Sequence, residues 1–418
     1  MASIIINATD GVSLQSTVNC DMHSALRNPE WAWLPKHILD LILDKLVSLY
    51  AYIQFGLVCK SWYSVARGNK KKRCIINASH PQLPLLLIPI KDSEERRLYN
   101  VVQGKVYDFR VEVPLKRCCG SSNGWLFILE EDKCLTLLNP FSNQAIKLPP
   151  ITEGEELFSE IFVWKAVLSK DPVLYPNDYE VAVIYDGMRR LALYRAQYET
   201  WTYFSDNGGL KIFMDVIYYK GSFYAIDYWM GIGRIDNTSI ENSVSWPQVN
   251  LVLRRILPTF PEKQNVYDTF LVETSDGDLL LVRRYLFKED YEWTPDLELE
   301  ETGNDFTIKF RVYKLGELSN NGPPNLVEIN DLGDYAMFLG CNHSTLVSTL
   351  EFPGLQRNCI YYTNDRVDVY NPLDAGIFKL GDGEIRPHYI PENDEDLPPT
   401  NWIVPTLQGD WHEGTAFL

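Results

Sequence analysis

The chain has 418 residues, of which 45 % are apolar and 23 % are charged, a composition typical of a folded globular protein. That length exceeds what one hydrophobic core usually organises, so we expect two domains. The formal net charge of −17 disfavours partners with phosphate backbones or anionic lipid surfaces, and no apolar run is long enough to cross a membrane. We therefore expect no nucleic acid and no membrane among the partners.

The first residues, MASIIINATDG, lack the basic start and the longer apolar run of a signal peptide. The eight cysteines are scattered, without a CxxC pair or a histidine at ligand spacing. These features predict an intracellular protein, in the cytoplasm and/or the nucleus, with reduced cysteines, no metal site and no cofactor.

A helical pattern begins after residues 1–30, which read as a flexible leader. Pro35 suits a helix start, and apolar residues follow it at helical spacing; a second helical set follows residues 47–50. Residues 31–75 thus predict a small module of two or three helices. So short a segment buries little apolar surface by itself, so part of its apolar stripe should face another protein.

Three prolines then punctuate residues 76–90, which we interpret as a linker, and strand signals dominate residues 91–418. Many strands follow a turn dipeptide that contains glycine, as in Asn123-Gly124 and Lys220-Gly221, which favours tight hairpins. The segment SSNGWLFILEEDKCLTLLNPFSNQAIKLPP resembles most of one propeller blade. At about 40 to 50 residues per blade, the region has room for six or seven blades. A β-sandwich is the alternative, because no GG or WD signature recurs.

The helical segment WAWLPKHILDLILDKLVSLYAYIQFGLVCKSWYSVA resembles an F-box, in which Leu-Pro, an apolar helix and Val-Cys-x-x-Trp follow one another. This resemblance implies docking on a Skp-type adaptor, and through the adaptor on a cullin. A helix edge and an apolar stripe are the features that a groove in a partner recognises. The adaptor-binding residues that the resemblance implies are Leu34, Pro35, Ile38, Leu39, Ile42, Leu46, Val58, Cys59 and Trp62.

For some of these residues the alternative role is a private core of the helical module, and Trp62 suits either role equally. The pattern departs from the usual F-box at Gly56, where a basic residue is common, and at Tyr63, where arginine often stands. The basic run at residues 70–73 is interpreted as the end of a helix, with a nuclear address as the alternative.

The remainder of the chain resembles plant F-box proteins whose C-terminal half is called domain of unknown function 295, also described as kelch-like and KIB-type. The resemblance rests on stretches such as CCGSSNGWLFIL, YYKGSFYAID and FPGLQRNCIYYTND. The expected fold is therefore mainly β, with a three-helix F-box followed by a β-propeller-like, kelch-like domain that binds a client.

An enzyme would need a nucleophile, a base and an orienting group. The six histidines lie in no nucleophile motif, and the nearest approach to a hydrolytic set is His343 with Ser344 and Asp334. The expected role is a non-catalytic substrate receptor of a ubiquitin ligase. The alternatives are a ligase-independent scaffold or decoy and, less favoured, a propeller hydrolase.

Overall fold

The computed structural model describes residues 30–46, 51–52, 55–56, 58–69, 82–90, 93, 95–112, 117–142, 144–152, 163–204, 212–235, 249–250, 266–287, 306–316, 325–340, 343–363, 374–388 and 400–406. These residues divide between two compact units, a helical one and a much larger β one. Most of the predicted leader and the basic run at 70–73 lie outside the described residues.

The helical unit contains a short 3-10 turn, Glu30–Trp33, followed by helix α1, Lys36–Lys45, and helix α2, Lys60–Gly68. Two helices are thus described in full, whereas the expected fold had three. Helical backbone also occurs at residues 51–52 and 55–56, with residues 53 and 54 outside the described part. Pro35 stands at the N-cap of α1, where a missing N–H costs nothing.

The β unit forms six sheets from its described residues. The strands of the first half are β1 Leu85–Pro89, β2 Glu95–Asn100, β3 Lys105–Glu112, β4 Arg117–Ser122, β5 Trp125–Leu129, β6 Cys134–Asn139, β7 Gln144–Pro150, β8 Val163–Leu168, β9 Glu180–Tyr185, β10 Arg190–Arg195 and β11 Thr200–Tyr203. Those of the second half are β12 Phe213–Tyr219, β13 Ser222–Asp227, β14 Ile232–Ile235, β15 Val249–Asn250, β16 Val266–Glu273, β17 Leu279–Phe287, β18 Phe306–Leu315, β19 Leu326–Ile329, β20 Tyr335–Leu339, β21 Thr345–Ser348, β22 Cys359–Tyr362, β23 Gly376–Lys379, β24 Ile385–Arg386 and β25 Asn401–Ile403.

The sheets are the blades of a six-bladed β-propeller. Four blades are antiparallel meanders of consecutive strands, β4 to β7, β8 to β11, β12 to β15 and β16 to β19. Their first strands lie against one another where the blades meet, together with β21 and β25 of the other two blades. The segment interpreted as most of one blade does form one, β4 to β7. The six-bladed count decides between the predicted numbers and rules out the β-sandwich alternative.

The ring closes through strands from both ends of the chain. Strand β25 pairs with β1 and is the innermost strand of a blade whose other strands are β1, β2 and β3. Strand β1 lies inside the segment 76–90 that the prolines marked as a linker, so the propeller begins earlier than that boundary. The run of Leu85, Leu86 and Leu87 is buried because it forms a second strand from the axis.

The last blade departs from a simple meander. Its order is β21-β20-β22-β23-β24, so the chain forms the second strand before it forms the innermost one. As a result, β20 pairs in parallel with β22. Elsewhere the predicted hairpins hold: Asn123 and Gly124, like Lys220 and Gly221, have positive φ angles at both turn positions, as the tight turn requires.

His388 introduces a pH dependence into the stability of the propeller. The side chain is buried, and its Nε2 lies 2.9 Å from the carbonyl oxygen of Tyr362. Burial lowers the pKa of His388 to about 4. The unfolded chain, with a histidine pKa of about 6.5, binds more protons below that pH, so stability falls as pH falls from 6.5 towards 4.

We therefore expect His388→Gln to reduce the acid sensitivity of the fold. The free energy of unfolding of the unsubstituted chain should drop between pH 7 and pH 5 by about 2 kcal/mol more than that of the variant. Urea unfolding at the two pH values measures this difference. Equal drops in both proteins would contradict the assignment.

Candidate functional site

The helical unit has a compact core of its own. Leu39 and Leu43, one turn apart on α1, are buried with Tyr52, Phe55, Val65 and Ala66. The Tyr52 hydroxyl donates to the Ala66 carbonyl oxygen at 2.7 Å. Asn69, at the end of α2, donates through Nδ2 to Asp40 on α1, also at 2.7 Å. These contacts fix α1 against α2.

A second set of apolar side chains in this unit faces solvent. Trp33 is 79 % exposed, Leu41 60 % and Val58 52 %, and Trp31 and Pro35 are exposed too. Ile38 is a surface neighbour of Pro35 and of Leu41, because each pair is three residues apart in the α1 region. We refer to Trp31, Trp33, Pro35, Leu41 and Val58 as the exposed apolar set.

The nine residues assigned to adaptor binding fall into three classes of burial. Leu39 is buried in the core. Six residues are half-buried: Leu34, Ile42, Leu46 and Trp62, which pack against the core, and Ile38 and Cys59. Pro35 and Val58 are exposed. The two exposed residues are thus the ones from the prediction that another protein reaches most readily.

Three members of the exposed apolar set were missed by the sequence reasoning: Trp31, Trp33 and Leu41. The run Leu39 to Leu43 has apolar residues at four of five positions, more than one helix face accommodates. This surplus of apolar residues could have indicated from the sequence that α1 is apolar on two sides.

Trp62 connects the two halves of the motif. Its indole Nε1–H donates to the Trp31 carbonyl oxygen at 3.0 Å, and its ring packs on Phe55 with a centroid separation of 4.6 Å. The Leu34 N–H donates to the same Trp31 oxygen at 3.4 Å. The 3-10 turn that holds Trp31 and Trp33 is therefore fastened to the start of α2.

The propeller has a second concentration of functional groups on its innermost strands. Five of them carry buried polar side chains, and Ser344 immediately precedes the sixth, β21. The buried groups on the strands are Ser121, Ser122, Lys165, Asp215, Asp268, Thr269 and Asn401. Polar side chains at these depths require partners.

Lys165 and Asp215 form the most deeply buried ion pair of this group, with an Nζ to Oδ1 distance of 2.6 Å. Asp215 also accepts the backbone N–H of Val216 at 2.8 Å and that of Leu271 at 2.6 Å. The carboxylate thus links the innermost strands β8, β12 and β16. Its geometry is that of a structural clamp between three blades.

Arg284, on strand β17, also links two neighbouring blades through buried polar contacts. Its Nη2 lies 2.7 Å from Oδ2 of Asp374, and its Nε donates to Thr307 Oγ1 at 2.8 Å. Asp374 accepts the Thr307 backbone N–H at 2.9 Å. Because Arg284 also approaches the ring of Tyr362, at 5.2 Å, the cluster joins the blade of β17 and β18 to the blade of β22.

His343 and Asp334, two of the residues considered for a hydrolytic set, contact other groups. The His343 backbone N–H donates to the Ser121 carbonyl oxygen at 2.7 Å, and burial, with a smaller contribution from Lys165, lowers the imidazole pKa to about 4. Asp334 pairs with Arg357 at 3.4 Å. Within the part of the chain that the structure describes, no group of three or more histidine, cysteine or acidic residues is placed to hold a metal ion.

The tryptophans of the β region differ in exposure. Trp201 and Trp402 are buried, with indole N–H groups that donate to Pro149 and Leu339 carbonyl oxygens. Trp229 is partly exposed and packs edge-to-face with Tyr228. Trp293 lies outside the described residues.

Comparison with known families matches both units of this architecture. The family model "KIB1-4 beta-propeller" matches residues 98–379, about two thirds of the chain, and the model "F-box domain" matches residues 31–74. The chain belongs to the KIB1-4 beta-propeller family. The F-box match begins at Trp31 and so includes the whole exposed apolar set.

Curated relatives that align over most of the chain come from Arabidopsis thaliana. The F-box protein SKIP23 is 26 % identical over 92 % of this chain and 98 % of its own length. The F-box protein At2g17036 is 26 % identical over 90 % and 95 % of the two chains, and At2g26160 is 23 % identical over 81 % and 97 %. These alignments span most of both chains, so the similarity is not confined to one of the two units. No described helix is long and apolar enough to cross a membrane.

Proposed function

We propose that this KIB1-4 propeller protein is the substrate-recognition subunit of a Skp-cullin-F-box ubiquitin ligase. The observation that carries the proposal is an F-box whose own core is complete while Pro35, Leu41 and Val58 remain exposed. Exposed apolar groups beside a rigid core are what a protein interface recognises. The F-box docks on a Skp-type adaptor, which brings a cullin.

The propeller binds the client protein in this proposal. Fixed blades and variable loops are the usual arrangement of binding proteins, because the scaffold holds the loops at little entropic cost. The receptor is non-catalytic and acts by raising the effective concentration of the client near the ubiquitin-charged partner. We further propose that it belongs to the plant subset described as domain of unknown function 295, with its kelch-like label.

The proposed place of action is the cytoplasm or the nucleus. All five cysteines within the described residues are free thiols, which suits a reducing compartment. The alternative function is a ligase-independent scaffold or decoy that uses the propeller alone. Adaptor binding separates the two functions.

The decisive test is a titration of the purified full chain with a purified Skp-type adaptor. We expect Val58→Asp to raise the dissociation constant by at least about tenfold, because a carboxylate would be buried unpaired in the interface. The matched control is Val327→Asp, since Val327 is 58 % exposed on strand β19 of the propeller. Both variants should unfold at the same temperature as the unsubstituted chain.

A deletion of residues 31–75 and the double variant Leu34→Ala/Pro35→Ala complete the series, and both should lose adaptor binding. If the unsubstituted chain binds none of the adaptors tested, the ligase function is wrong and the scaffold function takes its place. Equal losses for Val58→Asp and Val327→Asp would also count against docking through the F-box.

A further inference from the structure

Apolar exposure is concentrated in one short stretch of this chain. Four of the fourteen exposed large apolar side chains among the described residues are Trp31, Trp33, Leu41 and Val58. Trp33 and Leu41 are not among the nine residues that the F-box resemblance assigns to adaptor binding. Neither side chain belongs to the module's core or to the residues packed against it.

We propose that Trp33 and Leu41 extend the adaptor-binding surface of this F-box beyond its motif residues, and that Trp62 positions Trp33. The inference rests on the proposed function, since its occupant is the same Skp-type adaptor. Trp33 directly precedes Leu34-Pro35, and Leu41 is a surface neighbour of the motif residue Ile38, three residues before it on α1. The added residues are therefore continuous with the motif surface.

The geometry suits Trp33 to the role of an anchor. Tryptophan is enriched among the few residues that dominate binding, because a large rigid ring buries much apolar area at low entropic cost. The 3-10 turn is held through the Trp31 carbonyl oxygen, which accepts both the Trp62 Nε1–H and the Leu34 N–H. A ring presented on a fastened turn loses less freedom on binding than a ring on a loose segment.

The occupant is an adaptor, and a second copy of the chain is the competing outcome. Helix α1 carries two acidic residues, Asp40 and Asp44, and two basic residues, Lys36 and Lys45. The helix therefore has no net charge to repel an acidic partner or to favour self-association. The apolar contacts then decide the affinity, and the adaptor reaches them together with Pro35 and Val58.

The test measures adaptor affinity of full-length single variants against matched controls. Trp33→Ala and Leu41→Ala should each raise the dissociation constant by about tenfold. Their controls are Trp229→Ala and Leu350→Ala on the propeller, at 44 % and 76 % exposure, and each should change it by less than about twofold. Alanine is a good helix former, so Leu41→Ala leaves α1 intact.

A double-mutant cycle tests the positioning role of Trp62. Trp62→Phe keeps a ring against Phe55 but removes the N–H that the Trp31 oxygen accepts. We expect it to weaken binding about threefold when Trp33 is present and to have no further effect in the Trp33→Ala background. A purely structural role would weaken binding equally in both backgrounds, and that result would overturn the assignment.

The outcomes separate this inference from the function on which it rests. Failure of the unsubstituted chain to bind an adaptor overturns both. Loss of binding in Val58→Asp with unchanged binding in Trp33→Ala and Leu41→Ala overturns the extended surface alone. If the variants instead change the mass of the isolated chain in solution from dimer to monomer, the surface is a self-association site and the adaptor assignment for Trp33 and Leu41 is wrong.

Discussion

Asp215→Asn should lower the free energy of unfolding of the propeller by about 3 kcal/mol or more. The Val216 N–H donates to Oδ1 and the Leu271 N–H to Oδ2, so asparagine keeps an acceptor for only one of them and also loses the charge that balances Lys165. The Lys165 ammonium is almost fully buried, and an unpaired charge at that depth has no water to replace its partner. Chemical denaturation with urea at pH 7 measures the effect.

The matched control is Asp178→Asn, which breaks the ion pair with Lys170 at the surface. A solvent-exposed pair contributes about 0 to 1 kcal/mol, so the control should be nearly neutral. Combining Asp215→Asn with Lys165→Met removes the stranded charge and should recover part of the lost stability. If the two single variants are equally stable, the pair does not clamp the blades.

Trp402→Ala is expected to have an effect of similar size, about 3 to 5 kcal/mol. Trp402 is the central residue of β25, and its ring packs against Phe338 of the neighbouring blade at a centroid separation of 5.0 Å. Its indole N–H donates to the Leu339 carbonyl oxygen at 3.1 Å. The substitution thus leaves a cavity where the ring closes and removes one donor from the Leu339 oxygen, which still accepts the Thr363 N–H.

The comparison is with Trp229→Ala, which removes a partly exposed ring and should change stability by less than about 1 kcal/mol. Deleting residues 400–418 should go further, because the first blade then lacks its innermost strand. We expect that deletion to abolish the cooperative unfolding transition while the helical module keeps its own core. A deletion variant as stable as the full chain would refute the closure of the ring by β25.

These stability effects and adaptor binding are separable in the proposed receptor. The clamps at Asp215 and Trp402 belong to the β unit, whereas the exposed apolar set belongs to the helical unit. Variants of the clamps test the propeller on which client binding depends. Variants of Val58, Trp33 and Leu41 test docking without loss of core packing.

Much of the propeller followed from local sequence signals. The segment interpreted as most of one blade contains β5, β6 and β7, among them the apolar strand Trp125–Leu129. Runs of apolar β-formers between glycine turns are determined by neighbours in the chain, so they can be read locally. The helical module was likewise evident from the spacing after Pro35, although only two of its three expected helices are described in full.

Local signals missed four of the six innermost strands. Strands β4, β8, β21 and β25 lacked a clear prediction, and each has buried polar groups on it or beside it. A buried Lys165 or Ser121 looks like a surface residue until its partner on another blade is known. Pairs such as Lys165 with Asp215 join residues far apart in sequence, which no local pattern reports.

By itself the sequence determined the strand and helix periods, the hairpin turns and the F-box motif, because each depends on residues within one or two turns of chain. Tertiary structure alone decided the number of blades, the closure of β25 on β1 and the order of strands in the last blade. It also decided that Leu39 lies in the core while Leu41 faces solvent. These features depend on which distant segments pack together, and packing excludes water from only one side of an apolar helix.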